Sequence, residues 1–288
     1  MRNARCTGGL FYWRRRAVLL AGTQVEGARG TMSSAMQGDF EEVGVPEKDA
    51  PDGDAVSGLR AVLFSRDRSG LFRHRIRALD ALGALGATDV IEDYLRLDRC
   101  LADPLERIGE DAVISHAARR LARAHRADSF ALLLEVAQRH KLDGVVAALG
   151  SYRKREAIPV LIAALREDEA RLSAEAALRL LLGRARPALL KVAAGLLSAE
   201  APCDESHLRQ GRSCVALLIE LGAAKIDQET LAALMAHKDR QVAILACKLC
   251  LSSVAAADRK KALRRLRGLR ASASWSEKIQ IDGYLRPL

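Results

Sequence analysis

The stretch Pro159–Leu197, PVLIAALREDEARLSAEAALRLLLGRARPALLKVAAGLL, decides how the rest of the chain is read. Ile158, Leu161, Ile162 and Leu165 fall at helical spacing, and Pro159 stands where a first-turn proline is tolerated. Asp168 is placed to cap the next helix, where Leu172, Ala176 and Leu180, with Ala177 and Leu181, form an apolar stripe. Gly183 suits the left-handed position that ends a helix, and Pro187 opens a third one carrying Leu189, Leu190, Ala193, Leu196 and Leu197. Ala174, Ala176 and Ala177 let a neighbouring helix come close. Neither helix of a pair can bury its apolar face alone, so the pairs must stack.

The same phrase recurs from about Leu71 to Gly268. Arg73–Gly86 closes one unit, Val146–Gly150 another and Leu218–Gly222 a third. The glycines at 150, 183 and 222 lie 33 and 39 residues apart, and the 64 residues before Gly150 hold two units. Leu121–His125 occupies the missing turn without a glycine. Asp168, Arg171, Ala174 and Ala177-Leu178, and again Asp239, Val242-Ala243 and Ala246, resemble the Asp, Val-Arg, Ala, Ala-Leu-Gly pattern of HEAT repeats, particularly the bilin-lyase-type HEAT-like repeats. The resemblance covers about 200 residues at the level of the repeat. It implies an all-α fold, an α-solenoid or superhelix of antiparallel helix pairs.

The expected organisation is a leader over residues 1–58 and the array over residues 59–288, closed by a C-terminal helix. Met1–Ala35 holds six arginines and one acid without helical periodicity. A transit peptide fits that composition; so does an over-extended start with Met32 or Met36 as the first functional residue. Gln37–Gly58 carries seven acids, one lysine, two prolines and four glycines, the composition of a disordered leader. From Leu59 the pattern is helical. Phe72, Ile76, Leu79 and Leu82 form a stripe, Thr88 or Asp89 caps the next helix, and Asp103-Pro104 reads as an N-cap and first-turn proline. Ser129 starts a helix, and Ser274-Trp275-Ser276-Glu277 reads as a capping box whose Trp275 and Ile279 close the core.

No run of apolar residues approaches the roughly 20 that a membrane-spanning helix needs. Six scattered cysteines in 288 residues do not form a disulfide framework, which points to a reducing cytoplasm. Cys247-Lys248-Leu249-Cys250 is a lone CxxC inside an apolar helix, where cysteine acts as a small hydrophobe. Cys203, His207 and Cys214 match no zinc frame, and the six histidines stand singly. Gly83 and Gly86 make no phosphate loop, and Glu106, Glu110 and Asp111 read as acids that begin a helix. No catalytic residue, metal or cofactor is expected.

Charge is the most informative remaining feature. The chain carries +10 overall, and seven bases against eight acids leave residues 1–58 at −1, so residues 59–288 carry +11. Seven of those charges sit on Arg259, Lys260, Lys261, Arg264, Arg265, Arg267 and Arg270, a stretch without an acid. Leu263 and Leu266 turn this helix onto the stack. The first six cations form a candidate binding face for an anionic partner: an acidic protein, nucleic acid or a lipid head-group surface. The HEAT-like resemblance implies either a non-catalytic scaffold that grips a protein partner or, alternatively, a DNA-binding protein, a DNA glycosylase or a bilin lyase-like enzyme. Aromatics at 4% offer little to hold a displaced base, so a scaffold is expected.

Overall fold

The computed structural model describes residues 52–65, 72–97, 99, 101–198, 204–221, 226–252 and 256–286, all within the unit Pro46–Leu288. The expectations for residues 1–51, and for Leu71, Cys100, Cys203 and Gly222, lie outside the described residues. Among these residues the protein is all-α, with fourteen α-helices and no strand. They are α1 (Asp52–Phe64), α2 (Arg73–Ala84), α3 (Thr88–Arg96), α4 (Pro104–Arg123), α5 (Ala127–Arg139), α6 (Asp143–Ser151) and α7 (Ile158–Ala164). Then follow α8 (Arg171–Leu180), α9 (Leu182–Gly195), α10 (Glu205–Leu221), α11 (Gln228–Met235), α12 (Arg240–Leu251), α13 (Ala256–Ala271) and α14 (Trp275–Leu285).

Each odd-numbered helix packs on the even-numbered helix that follows it. The even helices also pack each on the next from α2 to α14, and the odd helices do the same from α1 to α11. One buried cluster runs through these contacts from Leu63 to Ile281. Close approach depends on small residues. A Cβ at Gly144 would lie 2.3 Å from the Ser115 carbonyl oxygen, and one at Gly150 would lie 2.4 Å from the Ala177 Cβ. Thus α6 approaches α4 and α8 more closely than alanine allows.

Polar contacts tie successive even helices. Arg119 of α4 pairs with Asp143 at the start of α6. Arg212 of α10 reaches the α12 N-cap Asp239 at 2.7 Å, and Arg240 of α12 reaches Glu277 of α14 at 3.2 Å. Burial works against the Asp239 charge, yet the Arg212 hydrogen bonds and the Val242 amide win and hold its pKa below the ordinary value. Each is a basic side chain reaching the N-terminus of the next helix, where acids also complement the dipole.

Several local expectations change in the structure. α1 begins at Asp52, so residues 52–58 are helix, and Val56 and Leu59 pack against the core. The break between α8 and α9 falls at Leu181, whose carbonyl accepts the amides of Arg184 and Ala185 at 2.8 and 2.9 Å. Gly183 and Pro187 therefore both lie inside α9. Asp168 does not cap α8; its carboxylate pairs with Arg209 at 3.0 Å. Of the expected α8 stripe, Ala177 and Leu181 are buried, whereas Leu172, Ala176 and Leu180 face solvent; Ala174 and Leu178 complete the buried face. α3 starts without a side-chain cap and α5 starts at Ala127, two residues before Ser129. Asp103 and the Ser274–Glu277 capping box are as expected. Trp275 is 79% exposed and Ile279 is exposed too; α14 docks through Ile281, Tyr284 and Leu285 instead.

Candidate functional site

The α13 helix buries Ala262 and Leu266 completely and Leu269 almost so, while Leu263 is half-buried. That stripe turns Arg259, Lys260, Lys261, Arg264, Arg265 and Arg267 outward, and all six are exposed. Arg265 donates from Nε to the Met235 carbonyl at 3.2 Å, which fastens α13 to the C-terminus of α11. Among the described residues the other five have no carboxylate within ion-pair distance, in contrast to Arg270, bound to Asp282 at 2.5 and 3.0 Å. The helix starts at Ala256, with Asp258 in its first turn, so the cations begin one turn later than a start at Arg259 would put them. Positive charge at a helix start opposes the helix dipole, and this start leaves the first turn to Ala256, Ala257 and Asp258. The like-charge pairs Lys260–Arg264 and Lys261–Arg265, at four-residue spacing, remain.

The other sequence candidates are dispersed. Cys247 and Cys250 are buried in α12; burial pushes the Cys247 thiol up to about 12 and raises Cys250 as well, leaving both as inert thiols at neutral pH. Cys214 is buried in α10 and raised to about 12 by the same cause. His207 lies at the start of α10, its Nδ1 2.6 Å from Asp204. His116 is 2.7 Å from Asp80 of α2. Among the described residues no three His, Cys, Asp or Glu side chains converge as metal ligands would. A hollow of about 350 Å³ between the end of α5 and the turn that leads from α7 into α8 is lined mainly by charge, and its Lys141 and Glu167 pair at 3.5 Å.

One buried polar cluster carried no sequence signal. Glu110, expected at a helix start, lies seven positions into α4 at 5% exposure, facing Arg75 of α2 at 2%. Arg75 donates to Glu110 Oε2 at 2.8 Å, to the Tyr94 hydroxyl at 2.6 Å and to the Leu63 carbonyl at 2.8 Å. Tyr94 in turn donates to Glu110 Oε1. Arg99 reaches the Phe64 carbonyl at 3.2 Å and Glu110 at 3.8 Å. Burial opposes the Glu110 charge, but the bonds from Arg75 and Tyr94 hold its pKa below the usual carboxylate range; burial and the Glu110 charge together raise the Tyr94 phenol. The cluster caps the last carbonyls of α1, groups that a helix end otherwise leaves without partners.

No family model matches the chain, and no curated protein matches it significantly. Among the described residues no helix is long and apolar enough to cross a membrane.

Proposed function

We propose that the chain is a HEAT-like α-solenoid acting as a non-catalytic scaffold that holds an anionic protein partner on the exposed face of α13. Support for the solenoid reading is the order of the helix contacts: odd on even within a pair, odd on odd and even on even between pairs. The observation that carries the functional reading is the cationic face itself. Five neighbouring cations lack a carboxylate partner among the described residues, and the helix tolerates like charges one turn apart. Conflicts of this kind collect at functional sites, where a ligand relieves them. The buried thiols at Cys214, Cys247 and Cys250 fit the cytoplasmic setting expected from the sequence.

The test uses the full chain and a variant with Lys260, Lys261, Arg264 and Arg267 changed to glutamine. Arg265 is left in place because it binds the Met235 carbonyl. Both are used to enrich partners from native lysate, with and without nuclease. A protein retained by the parent after nuclease and lost from the variant supports the scaffold. If both chains retain the same proteins to the same extent, the face is merely solvated.

A further inference from the structure

A second concentration of positive charge follows the turns that lead from an even helix into the next odd one. Arg123 ends α4 and Arg126 precedes α5; Arg153, Lys154 and Arg155 lie between α6 and α7; and Arg184 is in the first turn of α9. All are exposed except Lys154, which is half-buried with its Nζ 4.4 Å above the Phe130 ring. Direct contacts join these turns into one edge. Arg126 donates to Thr88 at the start of α3 at 2.8 Å, the His125 and Tyr152 rings meet at 5.3 Å, and Arg184 donates to the Arg153 carbonyl at 3.3 Å.

The two kinds of turn differ in how charge is neutralised. At turns from odd to even helices three acids draw cations: Glu167 pairs with Lys141, Asp168 with Arg209 of α10 and Asp239 with Arg212 of α10. At the edge described above, none of the six cations meets a carboxylate within ion-pair distance among the described residues. The acids in these same turns are Asp128 and Glu156. Two of the turns also hold a non-glycine residue in the left-handed region, His125 at φ 49° and Arg153 at φ 51°. Between α2 and α3 that conformation is taken by Gly86 at φ 71°. His125 and Arg153 both directly follow a helix C-cap, where the left-handed conformation commonly ends a helix, and Phe72 before α2 shares it at φ 65°.

We infer that this edge binds the phosphate backbone of a nucleic acid. Five of the six cations are arginine, whose planar fork matches a phosphate bidentately. They stand at three consecutive even-to-odd turns, α4–α5, α6–α7 and α8–α9. Among the described residues Leu180, at the end of α8, is the one exposed large apolar side chain that borders these turns, and the cations outnumber the acids there six to two. The contacts would be to backbone phosphates and would carry no base specificity. This surface is separate from the α13 face, and the experiment keeps the two apart.

The experiment measures anisotropy of a labelled oligonucleotide, single-stranded and as a duplex, across a salt series. The chains compared are the full chain, Arg123→Gln/Arg153→Gln/Arg155→Gln, the matching triple lysine variant, and the α13 glutamine variant. The three edge arginines have exposed side chains outside the hydrogen bonds that join the turns, so helical circular dichroism should be unchanged. The parent should bind with a negative slope of log K against log salt. The glutamine triple should flatten that slope by about 2 to 3, since each lost phosphate contact removes roughly 0.7 to 0.9, and the lysine triple should keep it. The proposal is overturned if the parent binds neither oligonucleotide at low salt. It is overturned equally if the glutamine triple keeps the parent slope while the α13 variant loses it. Poly-glutamate binding that equals the oligonucleotide and depends on the same three arginines would assign the edge to an acidic protein instead.

Discussion

Replacing Glu110 with glutamine should cost about 3 kcal/mol and loosen α1 and α2 before the other helices. Removing one partner of a buried ion pair is destabilising by about 3–5 kcal/mol, because the remaining charge stays buried without compensation. Arg75 is that remaining charge, at 2% exposure. It would keep the Leu63 carbonyl and the Tyr94 hydroxyl, and its guanidinium lies 5.6 and 5.4 Å from the Phe72 and Tyr94 ring centroids. Those contacts place the expectation at the lower end of the range. Urea unfolding followed by helical circular dichroism measures the loss. Hydrogen exchange locates it, with amides of α1 and α2 opening first because Arg75 and Arg99 hold the last carbonyls of α1. Arg75→Met/Glu110→Leu should recover most of the loss, since a buried pair exchanged for apolar residues is often neutral. A cost for Glu110→Gln below about 1 kcal/mol would refute the reasoning, as would a double variant less stable than the single one.

Other outcomes follow from the packing. Leu178→Ala should cost about 2–5 kcal/mol, because Leu178 is fully buried, whereas Leu172→Ala, at 60% exposure, should stay within about 0.5 kcal/mol in the same urea assay. Gly150→Ala should lower stability by about 1–3 kcal/mol, since its Cβ would press on Ala177 across the α6–α8 contact; an unchanged midpoint would mean the helices part freely. Stability should also fall in acid. Glu110 has a folded pKa below its ordinary 4.5, so its contribution is complete above that value and is lost as pH falls through the folded pKa. Glu110→Gln should therefore shrink the difference in unfolding midpoint between neutral and acid solution.

Helix identity was legible in the sequence because it depends on neighbours within a turn. The 3.6-residue spacing, the Asp103 and Asp239 N-caps and the Ser274–Glu277 capping box are local, and the structure has them. The cations of α13 were legible for the same reason, since Ala262, Leu266 and Leu269 fix one face and the exposed bases follow. Which face of α8 goes inward was not local. Ala177 and Leu181 were read as part of the stripe and are buried, but in a helix rich in alanine and leucine Leu172, Ala176 and Leu180 form as regular a row as the buried Ala174 and Leu178. The choice was made by α6, whose Gly150 admits Ala177. The turns shifted likewise, because Leu181 is drawn into the core while Gly183, which no core contact constrains, continues the helix. The Arg75–Glu110 pair joins residues 35 positions apart, and the joined basic edge depends on contacts such as Arg184 to Arg153, 31 apart. Periodicity sets what each helix is, but only burial against its neighbours decides which polar groups must find partners and which charges stay free.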